Sequence, residues 1–358
     1  MRCALFVGVG EKVTVEDVQP AERGPSDVVV QIGASGVCHS DLSVVDGGRP
    51  LAAPAILGHE AAGRVVAIGS DVSLVQVGDR VITTFIPACG RCFWCMRGQS
   101  NLCALAADVA ATPRAVLGDG RTATAFLGLG TFGDETTVHE ASVVPVQSHL
   151  PDEQLALLGC GVTTGIYSVF ETAGVQPGDT VAVVGCGGVG QAVVQGASLV
   201  GAVRIIAIDP VAMKRDKALA LGATDSVDPA VGDVGAAVRE LTGGRGVDYV
   251  FEATGLADVV GQAVTLVRRG GAVVMLGMPR HDSEIRVPAL KFFAEGKRIL
   301  VSKYGDAQVR RALPTLVALA EAGRIDLGAL VTRRIGLHEV DDALRAMVAG
   351  EVIRSVVV

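Results

Sequence analysis

The sequence has no basic run, no internal repeat and no low-complexity segment. With a formal net charge of -7 at pH 7, the missing basic run leaves nothing to attract a phosphate backbone or an anionic membrane surface. Nucleic acid and membrane are therefore not expected as partners. An uninterrupted apolar span is missing too. The longest uncharged stretch, Thr180–Val203, has the length of a membrane helix, but six glycines and two glutamines break it. It reads as a buried strand, a turn and a helix. The opening MRCALFVGVGEK has too short an apolar stretch for a secretory signal, so a cytoplasmic location is expected. In a long cytosolic chain, eight cysteines are metal ligands or free thiols in preference to disulfides.

At 358 residues the chain exceeds the size at which one core stops growing, and two domains are expected. The first third carries short β-branched runs broken by turn residues, DVVVQIGASG, GRVVAIGSDV and VGDRVITTFI, which read as strands of a β-rich domain. LAADVAATPRAVLGDGRTATAFLG has weak periodicity and reads as an extended loop. From about Pro177 strands alternate with helical stretches, the pattern of a parallel sheet with helices on both faces. The tail mixes a helix, RRALPTLVALAEAGR, with a strand-like RSVVV.

GCGGVG places Gly185, Gly187, Gly188, Val189 and Gly190 between the strand-like TVAVV and a helix, and Asp209 closes the next strand 19 residues after Gly190. In that context the glycines let backbone N–H groups approach a pyrophosphate at a helix N-terminus, as in a Rossmann domain. Asp209 would accept hydrogen bonds from the adenosine ribose and repel a 2'-phosphate, so NAD is favoured over NADP.

CGRCFWCMRGQSNLC places Cys89, Cys92, Cys95 and Cys103 at gaps of two, two and seven residues. Four thiolates this close suit a closed tetrahedral zinc site with no position left for a substrate. A bacterial iron–sulfur run would have a last gap of three followed by proline. Chemistry is thus expected elsewhere. Cys38, His39, His59, Glu60 and Cys160 include the donors of an open zinc site, two cysteines and a histidine, but sequence distance does not assemble them, and singly each reads as well as a core or surface residue.

Over essentially its whole length the chain resembles the zinc-containing medium-chain alcohol dehydrogenases. GHEAAGRVVAIGSDV fits the family signature through Gly58, His59, Glu60, Gly63 and Gly69, and the cysteine lobe, GCGVTTG and GCGGVG follow in the family's order. The resemblance implies an α/β protein with a doubly wound parallel Rossmann sheet and a discontinuous, β-rich, GroES-like catalytic domain. The bounds expected are 1–162 for the catalytic domain with its structural-zinc lobe, 163–299 for the NAD-binding domain, and 300–358 for the return to the catalytic domain, with the active-site cleft at the junction. It implies two zinc ions per chain. The catalytic one would be held by Cys38, His59 and Cys160 with Glu60 as an occasional ligand, and the structural one by the four-cysteine lobe. Asp41 would orient the His59 imidazole, and Ser40 would take the alcohol proton as hydride passes to NAD. Thr164 and Val189 would pack on the nicotinamide, Lys214 would reach the adenosine ribose, and His39 and Arg354 the pyrophosphate. Phe85, Phe126 and Leu127 would line the pocket for a small alcohol or aldehyde. A homodimer or homotetramer joined through the nucleotide-domain sheets is implied as well.

Two departures stand out. Position 43 is serine where well-known members carry a relay histidine, and Ala107 stands where the glutathione-dependent formaldehyde dehydrogenases carry arginine, which argues against S-hydroxymethylglutathione as substrate. AIDPVAMKRDKALALGAT also resembles the nicotinoprotein branch, which holds NAD permanently and passes hydride to an external acceptor. Two other readings are a catalytically silent nucleotide-binding sensor or structural subunit, expected to have lost an inner-zinc ligand, and a zinc-free quinone reductase, expected to lack both cysteine sets.

Overall fold

In a computed structural model describing residues 1–358, DVVVQIGASG forms the ten-residue strand Asp27–Gly36, its Val28 and Val30 fully buried. β-branched side chains suit this pleated, half-buried position. The strand lies within a seven-stranded sheet, between Ala61–Ile68 and Arg354–Val357, and also pairs with Glu135–His139. A six-stranded sheet of short strands accompanies it, with Ala55–Ile56 and Thr122–Ala125 at its centre. Both sheets belong to one compact unit, Met1–Cys160 with Gln308–Val358. One of its core clusters gathers Phe6, Leu57, Phe126 and Phe132 from the N-terminal part with Ile335, Leu344 and Val357 from the C-terminal part. The chain returns to this unit because its last strand fills a place in a sheet begun near the N-terminus.

The segment read as an extended loop, LAADVAATPRAVLGDGRTATAFLG, is a helix, Leu105–Ala111, followed by the antiparallel strands Pro113–Val116 and Thr122–Ala125. The tight turn between them is closed by Leu117 N–H donating to the Arg121 carbonyl at 2.8 Å. The inward positions Ala115 and Ala123 are fully buried. Alanine and threonine alternate too weakly in polarity to announce such a hairpin, and the neighbouring strands supply its pairing.

The other unit, Gly161–Ala307, holds six parallel strands. Their spatial order is Asp225–Val227, Arg204–Ile208, Thr180–Val184, Val247–Glu252, Val267–Met275 and Arg298–Val301. This is the doubly wound order, and it reverses direction between Thr180–Val184 and Val247–Glu252. The uncharged stretch from Thr180 resolves into a strand, a turn and the helix Gly188–Leu199, and no single helix in the chain is long and apolar enough to cross a membrane.

At the start of the central strand Asp248 accepts hydrogen bonds from Thr180 N–H (2.8 Å) and Oγ1 (2.7 Å) and from Arg268 Nε (2.5 Å). Burial opposes its charge, but the Thr180 and Arg268 bonds outweigh it and hold the carboxyl below the usual carboxylate range. A depressed native pKa contributes stability above the unfolded-state value near 3.9, and that contribution is lost as pH falls through the native value. Asp248→Asn should therefore lower the melting temperature at neutral pH and narrow its gap to the parent protein below about pH 4. Thermal melts recorded across pH 3–7 check this.

Candidate metal centres and nucleotide-binding loop

Strand Asp27–Gly36 runs into Cys38, which is the N-cap of the short helix His39–Val45. Asp41, at the third helical position, turns its carboxylate back: Oδ2 accepts from Cys38 N–H at 3.2 Å, and Oδ1 accepts from Gly58 N–H at 2.9 Å. Gly58 has φ of +90°, and a Cβ there would lie 2.5 Å from Phe132 N, so the turn before His59 requires glycine. The turn delivers His59 Nδ1 to Asp41 Oδ1 at 3.2 Å. With Nδ1 occupied, the fully buried Nε2 has no hydrogen-bond partner.

That orphaned nitrogen, the sulfurs of Cys38 and Cys160 and a Glu60 carboxylate oxygen all lie within 4.8 Å of one another, every residue buried. Residues from three separate stretches thus converge on one point. The hydrogen bond with Cys160 holds Cys38 well below the usual thiol range despite burial, and the same bond, with burial, raises Cys160. For His59, burial opposes protonation, but Asp41 and Cys38 outweigh it and raise its pKa. The cluster therefore favours positive charge at its centre, and a buried imidazole nitrogen without a partner beside two cysteine sulfurs is the donor set of an open tetrahedral zinc site.

Glu60 is fully buried. Burial pushes its carboxyl up to about 7, with Arg354 pulling the other way. Arg354 Nη2 donates to Glu60 Oε1 at 2.6 Å and Nη1 to the Val37 carbonyl at 3.0 Å. The arginine expected at a pyrophosphate is thus engaged beside the metal cluster, and it is no ordinary surface charge. The relation of Arg354 to Glu60 had no sequence signal, because 294 positions separate them. Ser40 Oγ lies 3.9 Å from Cys38 Sγ on the same helical turn, while Ser43 Oγ donates to the His39 carbonyl at 2.9 Å. His39 itself is exposed.

Phe126 is buried edge-on to His59, with ring centroids 5.3 Å apart, and half-buried Phe85 stands at 6.1 Å. Leu127 is half-buried in a left-handed conformation, φ 56°. Arg49, absent from the sequence-based set, places its guanidinium over the Phe126 ring, 5.0 Å from the centroid.

In the cysteine lobe the sulfurs of Cys89, Cys92, Cys95 and Cys103 also lie within 4.8 Å of one another, with Cys89–Cys95 at 4.0 Å and Cys92–Cys103 at 3.9 Å. A tetrahedron with Zn–S bonds of about 2.3 Å has edges of roughly 3.8 Å, so the four thiols fit that ion with little adjustment. None is in a disulfide. Backbone N–H groups of Ala104 and Cys95 pull the Cys92 thiol down to about 6. The remaining two cysteines, Cys3 and Cys186, are buried, and burial pushes both thiols up to about 12, as suits small hydrophobes.

The nucleotide-loop residues gather in the Gly161–Ala307 unit. Gly185 turns the chain at φ +89°, Gly187 caps the helix that begins at Gly188, and a Cβ on Gly190 would lie 2.0 Å from the Gly185 carbonyl oxygen. Helix and strand can approach this closely only through glycine. Asp209 Oδ2 accepts from Cys186 N–H and Oδ1 from Val211 N–H, each at 2.8 Å, so the acidic residue also shapes the loop. Val189 is half-buried on the first turn, Lys214 is half-buried on helix Ala212–Ala220, and Thr164 is buried on helix Gly161–Tyr167. Two residues escaped sequence reasoning. Gln191 Nε2 ties the Cys186 and Lys214 carbonyls together at 2.9 and 2.8 Å, and Arg215 Nη1 donates to the Asp209 carbonyl at 2.7 Å. Neither stands out in sequence from an ordinary helix residue.

The Glu60–Arg354 pair supplies a stability test. Removing one partner leaves the other buried and unpaired, so Glu60→Ala should cost about 3–5 kcal/mol, and adding Arg354→Met should recover part of it. Chemical denaturation of the zinc-loaded single and double variants checks this.

Comparison with known proteins agrees with the geometry. Residues 24–148 match the family model of the alcohol dehydrogenase GroES-like domain, and residues 188–322 that of the zinc-binding dehydrogenases. The chain is 37% identical to an S-(hydroxymethyl)glutathione dehydrogenase of Synechocystis sp., with 99% of both chains covered. It is 35% identical to an NDMA-dependent alcohol dehydrogenase of Amycolatopsis methanolica, over 99% of this chain and 98% of that one. The crystal structure of benzyl alcohol dehydrogenase from Acinetobacter calcoaceticus superposes with a TM-score of 0.92 at 28% identity, covering 99% of this chain and 98% of that one. The shared fold, the two metal-ready clusters and the nucleotide loop lead to one assignment: the chain belongs to the zinc-containing medium-chain alcohol dehydrogenase family and is an oxidoreductase of that family.

Proposed function

We infer that the chain interconverts a primary or secondary alcohol and its aldehyde or ketone with NAD, using one zinc ion at Cys38, His59 and Cys160 and a second, structural one at Cys89, Cys92, Cys95 and Cys103. The observation that carries this is the buried, partnerless Nε2 of His59 beside the Cys38 and Cys160 sulfurs. When bound, zinc supplies Lewis-acid polarisation of the alcohol or carbonyl oxygen, and NAD accepts or returns hydride. The chain does the rest. Asp41 keeps the proton on His59 Nδ1 so that Nε2 presents its lone pair. Ser40 takes the hydroxyl proton of the substrate, and with Ser43 bonded to the helix backbone that proton leaves Ser40 through water. Asp209 favours an unphosphorylated ribose, and hence NAD over NADP.

The family resemblance to the NDMA-dependent relative favours a second reading of the same site, in which NAD is held permanently and an external acceptor removes the hydride. Although the Synechocystis relative is an S-(hydroxymethyl)glutathione dehydrogenase, Ala107 supplies no cation where the glutathione-dependent subgroup carries arginine, so a simpler alcohol is the proposed substrate. For assembly, the strand Arg298–Val301 is an edge of the parallel sheet, and Val301 is 67% exposed near Leu290 and Phe293 in sequence, which are 82% and 85% exposed. An apolar edge of this kind fits pairing with a second copy of the chain.

Metal and nucleotide analysis of the purified protein should count two zinc ions per chain. Cys38→Ser should keep one zinc and the fold while losing at least about a thousandfold in kcat, whereas Cys92→Ser should lose the other zinc and destabilise its lobe. A chain that binds one zinc or none, or a Cys38→Ser variant with parental turnover, overturns the reading. NAD released only on denaturation selects the permanently bound form. Val301→Lys should shift the protein towards monomer in sedimentation velocity.

A further inference from the structure

Glu252 ends the central strand Val247–Glu252 of the nucleotide unit, where the sheet reverses direction, and the chemistry above makes no use of its carboxyl. The side chain has no solvent exposure. Burial raises its pKa, and bonds from Thr254 and Gly255 pull the other way. Oε1 accepts from Thr254 N–H at 2.6 Å, from the Thr254 hydroxyl and from Gly255 N–H at 3.1 Å, so the carboxylate folds over the loop that leaves its own strand. The Glu252 carbonyl accepts from Leu276 and Gly277 N–H at 2.9 and 3.0 Å, which draws in the end of the neighbouring strand Val267–Met275. These contacts reach the nucleotide loop. Ala253 N–H donates to the Val184 carbonyl at 2.8 Å, and a Cβ on Gly185 would lie 2.8 Å from Thr254 Cγ2. On the other side a Cβ on Gly255 would lie 2.6 Å from the Met278 carbonyl oxygen, and one on Gly277 would strike Gly255 N. Three strand-end loops are thus packed together through glycine, and Glu252 holds the middle one.

A Cβ on Gly187, by contrast, would meet nothing within 4 Å, and Gly187 caps its helix without a side-chain bond, which leaves N–H groups of the first turn for a pyrophosphate. A dinucleotide lies across the C-terminal ends of such strands. With its adenosine at Asp209, on the side of strand Arg204–Ile208, its nicotinamide half extends to the opposite side of Thr180–Val184, where the loops after Glu252 and Met275 lie. We propose that Glu252 is a positioning residue for the nicotinamide half of NAD, acting through the Thr254–Gly255 loop that it fixes between the GCGGVG turn and Gly277. A carboxylate suits this place because both of its oxygens accept, with Oε2 also 3.4 Å from Gly255 N. Glutamine has the same shape but turns a donor towards donors. The role rests on the NAD-dependent reading above.

The test compares NADH with ADP-ribose, which lacks the nicotinamide, as ligands of the zinc-loaded protein in titration calorimetry. Glu252→Gln should weaken NADH roughly tenfold and leave ADP-ribose within about twofold of the parent. Where NAD copurifies, ADP-ribose should displace it from the variant at roughly a tenth of the concentration that the parent needs. Thermal melts show which variants fold. Should Glu252→Gln not fold, Thr254→Val carries the comparison, since it drops the hydroxyl that donates to Glu252 and keeps a methyl group against Gly185. Equal weakening of both ligands, or no change in either, overturns the positioning role, because a residue that only stabilises the unit does not single out the nicotinamide. If benzyl alcohol is oxidised while NADH affinity ignores Glu252, the role fails and the dehydrogenase reading stands. If NADH affinity depends on Glu252 as expected while no alcohol is oxidised, the role stands and the dehydrogenase reading fails. A parent protein that binds neither ligand overturns both.

Discussion

The Asp41 carboxylate is the constraint on which the inner site depends. It has no solvent exposure, and its two oxygens receive Cys38 N–H, Gly58 N–H and His59 Nδ1. One anion thus fixes the start of a helix, a glycine turn 17 residues further on and the tautomer of a histidine. Burying a charge without such partners would be prohibitive, and with three donors the same burial becomes a source of rigidity. Two of the cluster's donors, the Cys38 sulfur and the His59 Nε2 atom, are placed by this anion.

Around that anchor the charges alternate. Cys38 is held towards its charged form, Arg354 is buried against Glu60 beside it, and the centre is left favourable to a cation. Arg354 bonds to Glu60 and to the Val37 carbonyl, so it stabilises the strand end that leads into Cys38 as well as the carboxylate. The cysteine lobe solves a different problem. Its short helix Phe93–Met96 has no buried residue, and a lobe with so little apolar core needs a cross-link, which four converging sulfurs can supply through a metal.

In the nucleotide unit the glycines and Asp209 act together. Gly185 and Gly190 allow strand and helix to touch, and Asp209 holds the loop by accepting from Cys186 N–H. An acidic side chain expected to choose between cofactors is therefore also part of the framework that shapes the loop. Gln191 and Arg215 complete that framework by bonding carbonyl groups of the loop, of the Lys214 helix and of Asp209 itself.

Local chemistry made much of this legible. The GCGGVG turn, the four-cysteine run and the alternation of strand and helix are decided by steric and coordination rules acting over a few residues, so their spacing carries the information. The hairpin from Pro113 to Ala125 was illegible for the opposite reason, since its partners, not its own polarity pattern, make it a sheet. By itself the sequence determined the two-unit α/β class, the zinc-ready lobe and the nucleotide loop. Only the tertiary structure decided that Cys38, His59, Glu60 and Cys160 meet, that Arg354 pairs with Glu60, and that Arg49 stacks on Phe126. Those contacts join positions tens to hundreds of residues apart, and their free energy exists only once the sheets have closed around them.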